Sequence, residues 1–359
     1  MFAPSTALLA LGYDAGWARS FLPHAAAGRT PGRVARVDRV SYDALTDPAG
    51  PPVRATLDGS LLAAGAHDPV AAPTVGDWVG LRHWPDGRVT VEAVLPRRTV
   101  FVRGSAGADS SGQVLAANVD IVFVVAALTP VPNLNRLERL LTLAWESGGV
   151  PVVVLTKADL ASDADLLRDE VAEIALGADV LAVSAVSGAG MAAVQDHCAG
   201  RTVAMVGSSG AGKSTLANRL LGAAHMVTAG IRDDGKGRHT TTHRELLPLP
   251  GGGVLIDTPG LRGVQLWSAH EGLEAAFADI EGLASRCRFL DCGHATEPDC
   301  AVQEAVRAGV LSLRRLEHYR KLGREAAWAA RRTDARARAE DRARYRVFAR
   351  ARRQRGGRP

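Results

Sequence analysis

The chain has 359 residues, 47% hydrophobic and 23% charged, with a formal net charge of +5. That is the profile of an ordinary globular protein long enough for two or three domains, each with its own core. Four cysteines are too few for a secreted disulfide scaffold. No apolar run approaches the roughly 20 residues of a membrane span, and the N-terminus lacks the basic-then-apolar pattern of a signal peptide. A cytoplasmic protein is expected.

Charge is unevenly spread. Residues 331–359 hold twelve arginines against three acids (Asp334, Glu340, Asp341), a balance of +9 that leaves −4 for the rest of the chain. A basic tail on a mildly acidic body points to a polyanionic partner, nucleic acid being the commonest.

Residues 1–31 form an Ala-rich N-terminal extension, with Trp17 and Phe21 as anchors onto a later domain. Residues 32–104 read as all-β: the short alternating runs Val34–Val40, Val53–Leu57, Asp77–Leu81 and Val89–Leu95 are separated by Gly, Pro and Asp turns. Four or five such strands suit a small barrel. An OB-fold leads, and an SH3-like barrel would read the same way. Gly104–Gly112 is expected to be a polar linker. Apolar strands alternating with helical stretches then follow at Asp120–Ala127, Pro151–Leu155, Val180–Val183, Thr202–Val206 and Val254–Ile256. This pattern predicts an α/β domain with a mainly parallel sheet over residues 113–275. A cysteine cluster falls within residues 276–322. An Ala/Arg-rich stretch from Gln303 to Phe348 reads as helical, with residues 323–359 as its basic end.

Gly207-Ser208-Ser209-Gly210-Ala211-Gly212-Lys213-Ser214 is a complete phosphate loop between an apolar strand and the helical stretch Thr215–Leu221. Its glycines let backbone N–H groups ring the phosphates, and the helix N-terminus adds positive charge as far as Thr215. Lys213 neutralises the outer phosphates and Ser214 is placed to ligate Mg²⁺.

Thr156-Lys157-Ala158-Asp159 follows the strand Pro151–Leu155. A carboxylate at Asp159 accepts two hydrogen bonds from the N1–H and exocyclic amine of guanine, a pair that adenine does not offer. The Lys157 stem can lie along the base. Thr156 stands where Asn is more usual, an exchange expected to weaken the contact that braces the phosphate loop. Ser184-Ala185, after the next strand, would bring a backbone N–H to the guanine oxygen.

Asp257-Thr-Pro-Gly260 ends the strand Val254–Ile256; Asp257 would hold Mg²⁺ through water, and the Gly260 N–H would meet the γ-phosphate. Gly235–Thr242 is a Gly-rich, polar segment from which a threonine reaches the metal, Thr241 first and Thr242 next. The residue after Gly260 is Leu261, which cannot hydrogen-bond the attacking water. His239 is the candidate to orient or deprotonate that water. Low intrinsic hydrolysis that a partner accelerates is the expectation.

The motif order is itself informative. The guanine-reading motifs precede the phosphate loop and both switch segments follow it, so the domain reads as circularly permuted, an arrangement eased by the closeness of termini in compact domains. The second switch then leads directly into the cysteine cluster and tethers any movement there to the C-terminal unit. Cys287-x4-Cys292-x-His294-x5-Cys300 supplies three thiolates and an imidazole, enough to close a tetrahedral structural Zn²⁺ site. Cys198 reads as a small core residue. His270 and His318 lie nearby but do not fit the loop spacing.

The succession TKAD, SA, GSSGAGKS, GRHTTT, DTPG closely resembles the ribosome small-subunit-dependent GTPase family (RsgA, also called YjeQ). Cys-x4-Cys-x-His-x5-Cys matches that family's zinc domain, and Val75-Gly-Asp-Trp-Val79 resembles a signature of its N-terminal barrel. The resemblance spans roughly residues 30–320. It implies a multidomain chain: an OB-fold barrel, a permuted P-loop GTPase domain and a C-terminal α-helical zinc-binding domain. It further implies a monomer that uses GTP with Mg²⁺ and one structural Zn²⁺, binds rRNA and assists late maturation of the small ribosomal subunit. That subunit would stimulate its hydrolysis. The family carries a hydrophobic residue at the Leu261 position and a histidine at that of His239. Arg33, Arg36, Arg39, Arg97, Arg98 and Arg103 are expected to supply phosphate contacts on the barrel. Competing readings are an RNA-binding checkpoint factor with incidental turnover, a permuted GTPase of the large subunit and, last, a nucleotide kinase or other ATPase.

Overall fold

The computed structural model describes residues 5–104, 112–222, 244–257 and 270–333. Two short helices open it, α1 (Thr6–Ala10) and α2 (Ala15–Ala26). Asp14 caps α2 by accepting from the Trp17 amide at 2.9 Å. Trp17 and Phe21 lie four residues apart, on one helical face, and both are buried. Burying each contributes about 1.5–3 kcal/mol. The expected anchors are therefore what holds this segment down; Tyr13 stacks edge-on against Trp78 with ring centroids 4.8 Å apart.

Next come β1 (Thr30–Val37), β2 (Tyr42–Leu45), β3 (Val53–Leu57), α3 (Gly59–His67), β4 (Trp78–His83) and β5 (Val89–Val94). β1 pairs with both β2 and β4, and β3 runs parallel to β5, closing the circuit β1-β2-β3-β5-β4-β1. The circuit closes on itself, and this five-stranded order is that of an OB-fold. Val34, Ala44, Val79, Leu81 and Val91 fill its interior. The short β2 and the helix α3 were not legible in the alternation pattern.

β6 (Val100–Gly104) and β7 (Gly112–Ala117) pair antiparallel in a sheet of their own. Gly104 and Gly112, read from sequence as the ends of a linker, stand opposite each other in that ladder. Residues 105–111 lie outside the described residues.

The central unit follows as β8 (Ile121–Ala127), α4 (Leu134–Glu146), β9 (Val150–Thr156), α5 (Ala164–Ile174), β10 (Asp179–Ala182), α6 (Met191–Cys198), β11 (Thr202–Gly207), α7 (Lys213–Leu221), β12 (Glu245–Pro248) and β13 (Val254–Asp257). The strand order is β10-β9-β8-β11-β13-β12, parallel except for β12. Helices on both faces demand strands apolar on both sides, which explains the unbroken run Ile121-Val-Phe-Val-Val125. Val122 and Val124 enter one core layer, while Ile121, Phe123 and Val125 enter the other. Cys198 is buried as expected, its Sγ donating to the Val194 carbonyl. β12 also pairs with β1 at Glu245↔Arg36, so the barrel and the parallel sheet share a hydrogen-bonded edge.

The C-terminal unit comprises α8 (His270–Ala276), α9 (Ala278–Ala284), α10 (Ala301–Arg307) and α11 (Leu313–Thr333). The helical stretch expected from Gln303 is broken at Gly309, whose φ of +73° suits a residue without a side chain. Among the described residues no helix is long and apolar enough to cross a membrane.

Candidate nucleotide and metal sites

In a parallel α/β sheet the carboxyl ends of the strands lie along one edge, where ligands are held. β9, β10, β11 and β13 deliver to that edge the loops beginning at Thr156, Val183, Gly207 and Asp257. Three of these loops are joined by hydrogen bonds. The Thr156 hydroxyl donates to the Ala211 carbonyl at 2.7 Å, and the Ala158 amide donates to the Val183 carbonyl at 3.1 Å. Thr156 thus braces the phosphate loop itself through its hydroxyl, at the position where Asn is more usual.

Within the phosphate loop, a Cβ on Gly207 would come within 2.2 Å of the Val125 carbonyl oxygen, so only glycine allows β11 this close to β8. Gly212 caps α7 at φ +85°, and its own Cβ would stand 3.0 Å from the Thr156 hydroxyl. Lys213 curls back over the loop, its Nζ donating to the Gly207 and Ser208 carbonyls at 2.9 and 2.6 Å. Ser208, Ser209 and Gly210 form the bend, while Ser214 and Thr215 sit in the first turn of α7.

Lys157 adopts a left-handed backbone at φ +62°, which turns the chain into a short 3₁₀ segment carrying Asp159, an exposed residue. Ser184 is buried, and its Oγ accepts from the Ser187 amide at 3.1 Å, shaping the turn that presents Ala185. Asp257 ends β13 beside β11. A serine hydroxyl on α7 and a carboxylate on the adjoining strand end are the hard oxygen donors that suit Mg²⁺. His239, Thr241, Thr242, Gly260 and Leu261 lie outside the described residues.

Cys287, Cys292, His294 and Cys300 converge, with ligand atoms all within 4.8 Å of one another. Cys287 Sγ stands 3.8 Å from Cys300 Sγ, and His294 Nδ1 lies 3.7 and 3.6 Å from these two sulfurs. Tetrahedral Zn²⁺ with bonds of about 2.3 Å to sulfur and about 2.0 Å to nitrogen needs edges of this length. Burial holds the His294 imidazole below its ordinary pKa, favouring the neutral, ligating form. Cys300 also caps α10. Of the histidines set aside on spacing, exposed His270 pairs with Glu274, and His318 Nδ1 lies 2.6 Å from Glu138.

Two of the barrel arginines, Arg33 and Arg97, depart from expectation. Arg33 is buried, its guanidinium donating to the Leu11, Gly76 and Asn118 carbonyls and to the Thr202 hydroxyl, and lying over Trp78. Burial pulls its pKa down to about 10. Arg97 is held by Asp77 and two carbonyls, and Arg98 makes a two-pronged pair with Asp14. The hydrogen bonds of Arg33 and Arg97 point inward because β1 and the segment after β5 form the seam between barrel and parallel sheet, whereas Arg98 is exposed. Arg36 lies 3.4 Å from Asp38, Arg39 is exposed, and the Arg103 side chain falls outside the described residues.

Sequence reasoning also missed the fully buried Glu138 on α4. It takes hydrogen bonds from Arg314, Arg315 and His318 of α11, and Arg315 reaches on to Asp279. A lone Glu inside an amphipathic helix, with Arg-Arg-x-x-His far downstream, carries no signal without the fold.

Comparison with known proteins agrees with these features. The profile described as RsgA GTPase matches residues 94–267. A Streptomyces coelicolor protein named small ribosomal subunit biogenesis GTPase RsgA is 51% identical, covering 95% of this chain and 92% of that one. A protein of the same name from Opitutus terrae is 46% identical over 91% and 92%. Among solved structures, YjeQ from Thermotoga maritima superposes with a TM-score of 0.62 at 27% identity, covering 83% of this chain and 99% of that one. YloQ, titled a circularly permuted GTPase, gives 0.58 at 25% identity, over 83% and 95%.

Proposed function

The chain belongs to the RsgA GTPase family and is a GTP hydrolase, and from that premise we propose that it acts on the maturing small ribosomal subunit, which accelerates its hydrolysis. The observation that carries this reading is the tying of the phosphate loop, the Thr156–Asp159 loop and the Ser184–Ala185 turn at one sheet edge by Thr156 and Ala158. The pairing of the sheet with a barrel through β12 and β1, and the twelve arginines of residues 331–359, support a ribonucleoprotein partner.

In this proposal the amides of Gly207–Thr215 and the Lys213 ammonium hold the phosphates. Asp159 reads the guanine edge, Lys157 lies along the base, and Ala185 meets the guanine oxygen through its backbone. Ser214 and Thr241 hold Mg²⁺, with Asp257 through water and Gly260 at the γ-phosphate; bound Mg²⁺ neutralises charge developing on the phosphates. His239 orients the attacking water, since Leu261 has no group to do so. Cys287, Cys292, His294 and Cys300 hold a structural Zn²⁺ that closes the C-terminal unit. We assign the barrel to residues 32–104 and the GTPase unit to 113–275. The zinc unit is 276–322, and the protein works as a cytoplasmic monomer.

GTP hydrolysis measured with purified small subunits, and with large subunits as control, tests the proposal. Stimulation by small subunits alone is the expected result. Stimulation by large subunits only, or by neither, removes the ribosomal assignment while leaving the nucleotide site standing.

A further inference from the structure

A cleft of about 490 Å³ opens between α4 and α11, and its wall includes Gly207, the first residue of the phosphate loop. That volume is within the range in which proteins hold small ligands. Four cations line it: Arg136 and Arg139 from α4, Arg314 and Lys321 from α11. Arg139 is committed to Glu325, and Arg314 to Glu138. Arg136 and Lys321 are exposed and make no side-chain hydrogen bond or ion pair among the described residues. Glu317 is the acid on the wall. The Glu138 network fixes α11 against α4, so two unpaired charges from distant sequence face one space beside the phosphate loop.

We propose that this cleft binds the phosphate backbone of an RNA strand, which thereby contacts the wall of the phosphate loop. Unpaired cations facing a common cleft are the feature a polyanion satisfies, with release of its counterions. The choice of RNA over an acidic polypeptide rests on continuity. α11 carries exposed Arg324 three residues beyond Lys321, and in the sequence residues 331–359 add twelve arginines. An RNA seated in the cleft touches the element that closes around the nucleotide phosphates, which gives a physical route from partner binding to hydrolysis.

The test uses the full chain and poly(U) RNA, with affinity measured across a salt series. Each lost phosphate contact to a single strand flattens the log–log salt dependence by about 0.7, so Arg136→Ala/Lys321→Ala should flatten it by about 1.4. Arg136→Lys/Lys321→Arg should keep the original slope, separating charge from folding. Arg168→Ala, which removes from α5 a half-buried cation already paired with Asp165 and Asp169, should not alter it. An unchanged slope in the double alanine variant, no poly(U) binding by the unaltered chain, or displacement of poly(U) by polyglutamate at equal charge would overturn the proposal. The functional consequence rests on the ribosomal reading: the double alanine variant should lose most of its small-subunit stimulation, normalised to its own basal rate. If the unaltered chain is not stimulated, the ribosomal reading fails, and the salt series still decides the cleft.

Discussion

Thr156 and Ala211, 55 residues apart, are joined by a 2.7 Å hydrogen bond from the threonine hydroxyl to the alanine carbonyl. The bond ties the end of β9 to the middle of the phosphate loop. It makes the loop after β9 and the phosphate loop one rigid object before any nucleotide arrives, and rigidity in the free state is what lowers the ordering cost of binding.

Thr156→Val keeps the shape and removes the donor, leaving a buried carbonyl without its partner, a loss of about 1–3 kcal/mol. Affinity for a fluorescent GDP analogue should fall by roughly tenfold, the equivalent of about 1.4 kcal/mol. Thr156→Ser should retain most of the affinity. Equal affinities for the valine and threonine proteins would show that the brace is irrelevant to binding.

Asp159→Asn replaces two acceptor lone-pair sets with one acceptor and one amine. Guanine then meets a donor where it offers one, and GTP affinity should drop by about a hundredfold or more. Xanthosine triphosphate, which carries an oxygen at the position of the guanine amine, should gain. Competition between the two triphosphates for the same variant measures this directly; an unaltered preference for GTP would remove Asp159 from base recognition.

Zinc content follows from the four converging ligands. The purified chain should hold about one Zn²⁺ by elemental analysis, Cys287→Ser should lose most of it, and Cys198→Ser should lose none. Chelation should lower the melting temperature, because metal binding is part of the folding free energy of such a unit. Retention of metal by Cys287→Ser would point to other ligands.

Glu138 gives the acid sensitivity of the junction between α4 and α11. Burial alone would raise its pKa, but hydrogen bonds from His318 and Arg314 and the charges of Arg314 and Arg315 together hold it below its ordinary value. A carboxylate with a lowered folded pKa contributes stability that is fully present above its unfolded value, near 4.5, and is lost as pH falls through the folded value. Acid unfolding followed by circular dichroism should therefore begin below about pH 4.5 in the unaltered chain. Glu138→Ala, which takes a carboxylate partner from the buried Arg315 guanidinium, should cost about 3–5 kcal/mol at neutral pH. The variant should also have a flatter stability profile through the acid range, and an identical profile would contradict the role assigned to the network.

The contiguous motifs were legible in the sequence for a physical reason. Phosphate cradling needs glycines at fixed spacing next to a strand, and tetrahedral zinc binding needs ligands close along a loop. Gly207–Ser214 and Cys287–Cys300 therefore announce themselves locally. The parallel strands were readable because two-sided burial demands unbroken apolar runs such as Ile121–Val125. The permutation was also in the sequence, since it is a statement about motif order.

What only the tertiary structure decided is where each charge is used. Arg33 and Arg39 look alike in sequence. One is buried against three carbonyls and a tryptophan at the seam between barrel and sheet, and the other is in solvent. The same holds for Glu138 and its partners more than 170 residues away, and for the hydroxyl of Thr156 standing in for an amide. Burial and partnership at long sequence separation arise from how strands close into a barrel and helices cross, and no local pattern of residues encodes them.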